Sequence, residues 1–261
     1  MHVIVFASQK GGSGKTTLCG QLAIQAERAG AGPVALIDTD PQGSLAEWWN
    51  ARSESTPAFV KTRFTELMDD LAHLNNAGTE LVFIDTPPAV TDAIRAVVTF
   101  ADIVVIPTRP SPHDLRAVGA TVDIVEDLGK PLVFAVNAAT PRAQITAESA
   151  IALSQHGTVA PVTVHQRTDF ATSMIDDRSV MELNPDSRSS QEMVGLWNYI
   201  SNRLGKVERR AEPQPYEGEE RRYPVRDLPD SRQLFGNQSA RAGFGRRPCS
   251  ASRPASKRGE R

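Results

Sequence analysis

The sequence predicts an α/β fold: a doubly wound, mostly parallel sheet with helices on both faces. Three observations carry this. Apolar runs of strand length recur at "VIVFA" (3–7), "PVALID" (33–38), "LVFID" (81–85), "DIVVIP" (102–107) and "PLVFAV" (131–136). None alternates apolar with polar residues, which is the pattern of parallel strands covered on both faces. Each is followed by a stretch of helical periodicity, as crossovers between parallel strands require.

The elements follow in order. The first run passes through a glycine-rich turn into the helix "TTLCGQLAIQAERAG", and the second passes through "TDPQGS" into "SLAEWW", where Trp48 and Trp49 are read as packing anchors. Leu67, Leu71 and Leu74 then form one helical stripe that stops near Asn75, Asn76 and Gly78. After the fourth run, Ser111, Pro112 and Asp114 predict an N-cap, an N1 proline and a capping-box acid. One helix should follow, with Leu115, Val118, Val122, Val125 and Leu128 on its buried face and Gly129 at its end. The last amphipathic helix carries Met193, Leu196, Trp197, Ile200 and Leu204 and is expected to begin at Ser190. One domain over residues 1–205 is therefore expected. Residues 206–261 are rich in Arg, Pro, Ser and Glu, offer little apolar area against the entropy of ordering, and predict a disordered tail.

The formal charge of −2 hides an asymmetry: the tail holds 14 Lys and Arg against 8 Asp and Glu, a net +6, which leaves the body with 15 against 23, a net −8. No run of about 18 apolar residues and no basic leader is present, so a cytoplasmic protein is expected. Cys19 and Cys249 lie far apart, and the five histidines show no metal-ligand spacing, so neither a disulfide framework nor a zinc site is indicated.

Chemistry concentrates in "QKGGSGKTT" (9–17), which leaves a strand and opens a helix, the context a phosphate-cradling loop needs. Gly11, Gly12 and Gly14 let backbone N–H groups of the loop, Ser13 and Thr17 included, converge on phosphate oxygens of ATP. Lys15 should reach the β- and γ-phosphates, and Thr16 should ligate Mg²⁺. Asp38, Asp40 and Asp85 stand at carboxyl ends of strands, facing the ligand crevice. Asp85 fits an acid that holds Mg²⁺ through water, while Asp38 and Asp40 fit metal support and orientation of an attacking water, in either assignment. Lys10 is a second cation that a simple phosphate loop does not require.

In this order "KGGSGKTT", "IDTDPQGS" and "FIDTPP" resemble the deviant Walker A, A′ and B motifs of the ParA/MinD family of partition ATPases, small ParA-type members above all, over about residues 1–205. The resemblance implies a P-loop NTPase that hydrolyses ATP with Mg²⁺ as an ATP-sandwich homodimer. Lys10 would be the signature lysine that crosses to the partner's phosphates, Lys15 the lysine acting within its own chain, and Asp40 the acid that positions water. Asn137, after the strand "PLVFAV", sits where family members often read the adenine, and "IPTRPSPHD" (106–114) resembles their proline-rich loop. A lysine in trans lacks the bidentate fork of arginine, so slow turnover without an activating partner of the ParB or adaptor type is expected.

The resemblance also implies nonspecific DNA binding, with Arg167 at a matching position and Arg178 and Arg188 downstream, and hence a nucleoid-associated protein that partitions or positions a plasmid, chromosome region or protein assembly. Two alternatives share the fold. MinD-like membrane cycling would need an amphipathic terminal helix, and its nearest candidate, 232–247, holds three glycines and a sparse apolar face. A metabolic ATP-dependent enzyme of the cobyrinate synthase or dethiobiotin synthetase type would not explain Lys10. The nitrogenase iron-protein branch needs cluster-binding cysteines at an interface, and neither Cys19 nor Cys249 is so placed.

Overall fold

The computed structural model of the protein describes residues 1–88 and 92–211, with side chains through 205. The chain runs β1 (His2–Phe6), α1 (Lys15–Arg28), β2 (Val34–Asp38), α2 (Ser44–Ala51), β3 (Ala58–Val60), α3 (Leu67–Asn76), β4 (Leu81–Asp85) and α4 (Asp92–Thr99). It continues β5 (Ile103–Thr108), α5 (Pro112–Ala117), α6 (Gly119–Asp127), β6 (Leu132–Val136), α7 (Gln144–Ser154), β7 (Thr158–Val159), α8 (Thr168–Ile175), α9 (Val180–Leu183) and α10 (Arg188–Ala211).

The strands form one seven-stranded sheet in the order β3-β2-β4-β1-β5-β6-β7, parallel at every pairing. Successive side chains of a strand point to opposite faces, and the core divides accordingly. Ile4, Phe6, Leu81, Phe83, Ile103 and Val105 pack with α1, α2 and α10 on one face. Val3, Val5, Val82, Ile84, Val104 and Ile106 pack with α3, α4, α6 and α7 on the other. Both faces are apolar, so the five long strands could be read as continuous apolar runs. The edge strands β3 and β7 were not: they have three and two residues, none of them fully buried.

Other departures have local causes. The single helix expected after Ser111 is interrupted at Val118 into α5 and α6. Ser111 does accept the Asp114 N–H at 3.1 Å, with Pro112 at N1, but the Asp114 carboxylate accepts from the Ser111 hydroxyl at 2.6 Å and the Ser111 N–H donates instead to the Arg109 carbonyl. The last helix begins at Arg188, not Ser190. The Ser187 hydroxyl accepts the Ser190 N–H at 3.1 Å, while the Ser190 hydroxyl is buried against the Asn184 carbonyl at 2.6 Å. That helix also runs to Ala211, six residues past the expected boundary. The expected tail beyond it, with the segment 232–247, lies outside the described residues.

Candidate nucleotide site

The site forms where the sheet changes direction. β1 lies between β4 and β5; its connection departs toward β2 on one side and that of β5 toward β6 on the other, which opens a crevice at the carboxyl ends of the strands. Residues 9–14 bridge that crevice from β1 to α1. Gly12 and Gly14 adopt φ of 74° and 98°, left-handed values that glycine tolerates without Cβ strain, and Gly14 is the N-cap of α1. The loop is tied on two sides. Gln9 N–H donates to Thr121 Oγ1 of α6 at 3.2 Å, and Asn137 Nδ2 donates to the Ser13 carbonyl at 2.8 Å. A Cβ at Gly14 would collide with the Asn137 amide, so the asparagine packs directly on the loop.

The two lysines diverge. Lys15 is buried, and its Nζ donates to the Ser8 carbonyl at 3.2 Å and the Lys10 carbonyl at 3.5 Å. Burial lowers its pKa, opposed by Asp85 and Asp40. Lys10 is exposed; its N–H donates to Ser8 Oγ at 3.3 Å, while its ammonium has no hydrogen-bond or ion-pair partner among the described residues.

The three acids differ in task. Asp85, at the end of β4, is 1 % exposed, and its Oδ2 accepts from the Thr16 hydroxyl at 2.6 Å. Burial raises its pKa to about 7, against the lowering effect of the Thr16 hydrogen bond. Its Oδ1 is buried and has no hydrogen-bond partner among the described residues. A hydroxyl beside a carboxylate with one free oxygen is a donor set that fits Mg²⁺, which takes few protein oxygens and completes its shell with water and phosphate. No group of three or more His, Cys, Asp or Glu that could hold a metal ion occurs among the described residues. Asp38 is tied to the backbone around it. Its Oδ1 accepts from Asp40 N–H at 2.9 Å, and its Oδ2 from Leu45 and Ala46 N–H at 3.1 Å each, so both oxygens are committed to the turn and the first turn of α2. Burial raises its pKa despite those bonds. Asp40 stays half-buried, with Oδ1 accepting from Gln42 N–H at 2.9 Å.

Two cavities meet at the loop. One of about 420 Å³ is lined by Gly11, Gly12, Gly14, Lys15, Thr16 and Thr17 together with Asp40, Ser44, Pro88, Arg109 and Met174. The other, about 280 Å³, shares Gly14, Thr17, Arg109 and Met174 and adds Leu18, Asn137, Ala138, His165, Gln166, Arg167, Phe170 and Ala171. The first suits phosphates and a cation. The second, with apolar walls and a few polar groups, suits a base and ribose.

The profile of the CobQ/CobB/MinD/ParA nucleotide binding domain matches residues 4–180. The chain belongs to this family of nucleotide-binding ATPases. Among curated relatives, the ParA/MinD-family chain is 29 % identical over 210 residues to "Maintenance of carboxysome distribution protein A" of Halothiobacillus neapolitanus, covering 77 % of this chain and 95 % of that one. It is 28 % identical over 129 residues to "Protein ParA" of Rhizobium radiobacter, 49 % of this chain and 57 % of that one. In fold it matches a Cyanothece McdA variant in complex with ATP, at TM-score 0.63 and 18 % identity, over 77 % of this chain and 96 % of the other. It also matches the Pyrococcus horikoshii MinD complexed with Mg-ADP, at TM-score 0.65 and 13 % identity, over 79 % and 98 %.

The three arginines expected to hold DNA have different surroundings. Arg167 Nη1 donates to Glu192 Oε2 at 2.5 Å, and Glu192 Oε1 also lies 2.7 Å from His165 Nδ1. Arg167 is thus ion-paired at the rim of the 280 Å³ cavity. Arg178 faces Asp176 at 3.3 Å and lines a separate cavity with Glu27 and Glu182. Arg188 is exposed at the start of α10. Arg109, Thr121 and Glu192 were not singled out from sequence. Only Arg109 carried a signal, its place inside the proline-rich "IPTRPSPHD" segment.

Proposed function

We propose that this chain is a ParA-type ATPase that binds ATP with Mg²⁺, dimerises around two nucleotides, holds nonspecific DNA in that state, and positions a cargo over the nucleoid. The observation that carries this reading is the divergence of two lysines in one loop. Lys15 is buried among backbone carbonyls, while the Lys10 ammonium faces solvent without a partner among the described residues. A second cation so placed is of no use to a self-contained site and is available to a second copy. The cargo class is a bacterial protein assembly of the carboxysome kind, since the relative of that name aligns with 77 % of this chain.

The chain's own groups divide the work. The loop N–H groups and Lys15 bind the phosphates. Thr16 and Asp85 would hold Mg²⁺, which when bound neutralises charge on the β- and γ-oxygens. Asp38 fixes the turn from which Asp40 orients water, and Lys10 enters the partner's site. Lysine keeps its hydration and lacks a fork, so hydrolysis is slow until an activating protein of the ParB or adaptor type engages. For DNA, the exposed Arg178 and Arg188 and the part-exposed Arg167 are the contacts, Arg178 and Arg167 exchanging the carboxylates of Asp176 and Glu192 for phosphate.

The test is ATP-dependent self-association by light scattering, with and without Lys10→Ala. The wild type should dimerise with ATP and not with ADP, and the variant should bind ATP as a monomer. An ATP-loaded wild type that stays monomeric overturns the proposal. Asp40→Ala should retain ATP and trap the dimer. Pelleting with DNA should depend on ATP and fall steeply with salt, and pelleting with liposomes in its place would point to membrane cycling.

A further inference from the structure

Arg109 follows directly on β5, which ends at Thr108, and so stands across the sheet's crevice from the loop that follows β1. Its backbone position is fixed from both sides. The Arg109 carbonyl accepts from Ser111 N–H at 2.8 Å, and the Thr108 carbonyl accepts from Asn137 N–H at 2.9 Å. The side chain reaches back over the glycine-rich loop, so that Nη2 stands 3.9 Å from where a Cβ on Gly12 would be. It lines both cavities of the site. Although exposed, the guanidinium has no hydrogen bond or ion pair among the described residues. Two other arginines that line cavities are paired, Arg167 with Glu192 and Arg52 with Glu182.

From this placement we infer that Arg109 is a phosphate-binding residue for the nucleotide, acting from the same chain as the loop it covers. A planar fork with paired N–H donors matches two phosphate oxygens at once. At 3.9 Å from the position of a Gly12 Cβ, the fork lies in contact range directly over the loop. Arg109 and Lys15 line the same cavity, and an anion bound there gives both cations a partner. The inference rests on nucleotide binding at this loop but not on dimerisation.

The experiment measures ATP affinity by fluorescence of a ribose-labelled ATP analogue, for the full chain and for Arg109→Ala, each with Lys10 present and with Lys10→Ala. Arg109→Ala should weaken binding by ~10-fold or more, the usual range for a lost charge-assisted hydrogen bond. The loss should persist in the Lys10→Ala background, where the chain stays monomeric. Arg109→Lys should recover part of it, and the salt dependence of binding should become shallower in Arg109→Ala. The melting temperature without nucleotide should not move, because the side chain holds no partner. Affinity unchanged within twofold overturns the inference, as does a loss that disappears when Lys10 is removed, which would place the guanidinium on a neighbour's nucleotide. If the wild type binds ATP but never dimerises, the function proposed above fails while this comparison still reads Arg109.

Discussion

The Thr16 hydroxyl lies 2.6 Å from Asp85 Oδ2, joining the first turn of α1 to the end of β4. With Asp85 Oδ1 buried and without a partner among the described residues, the pair would hold Mg²⁺, on the function proposed above, only when nucleotide supplies the rest of its shell. Thr16→Ala should therefore lose the gain in ATP affinity that Mg²⁺ provides, by ~10-fold or more, while affinity in EDTA stays within twofold. Isothermal titration with and without EDTA checks this, and an undiminished Mg²⁺ effect removes Thr16 from the cation site.

Arg52, at the end of α2, makes a forked pair with Glu182, at 3.0 and 2.8 Å, and also donates to the Asp177 carbonyl at 3.3 Å. Its guanidinium carbon lies 5.1 Å from the Trp48 ring centroid. Glu182 completes the capping box with Ser179. Since the arginine side chain is 1 % exposed, Arg52→Ala should destabilise the fold by about 3 to 5 kcal/mol, the usual cost of breaking a buried pair on one side. Urea unfolding measures it. Arg52→Lys should recover little, since it cannot form the fork.

Acid should loosen the region around Glu192. Burial raises the pKa of this carboxyl, but hydrogen bonds from Arg167 and His165 outweigh it, and the net pKa is lowered from 4.5. A depressed folded pKa means that the carboxylate contributes stability above the unfolded value and loses it as pH falls through the folded one. Stability against urea should thus be level, as far as this group acts, above pH about 4.5 and fall below it. Glu192→Gln should start lower at neutral pH and show a shallower acid limb, and parallel limbs would assign the acid sensitivity elsewhere.

Two helical glycines should respond with opposite sign to alanine. A Cβ at Gly20 of α1 would stand 2.7 Å from Trp48 Cζ3, so the overpacking cost of about 1 to 3 kcal/mol should exceed the helix-propensity gain of about 1 kcal/mol. At Gly205 of α10 a Cβ meets nothing within 4 Å, so the propensity gain stands alone, with a rise of about 0.5 to 1 kcal/mol. Thermal unfolding of the two variants side by side reads the difference.

The sequence by itself determined the five long strands and the phosphate loop, because both are written in contiguous residues. Strands covered on both faces must be apolar throughout, and a loop that wraps phosphate with its own N–H groups needs glycines at fixed spacing. The same locality made Ser111 and Pro112 legible as a helix start, and left β3 and β7, too short for any pattern, invisible. Tertiary structure alone decided which partners the charged groups found. It gave Arg167 to Glu192 on α10, left Arg109 without a partner among the described residues over Gly12, and turned one oxygen of Asp38 to the Asp40 amide and the other to the first amides of α2. Those encounters depend on the order of strands in the sheet, which brings together residues remote in the chain. A side chain's charge is fixed by its type, but whether that charge is spent or available is fixed only by what the fold sets beside it.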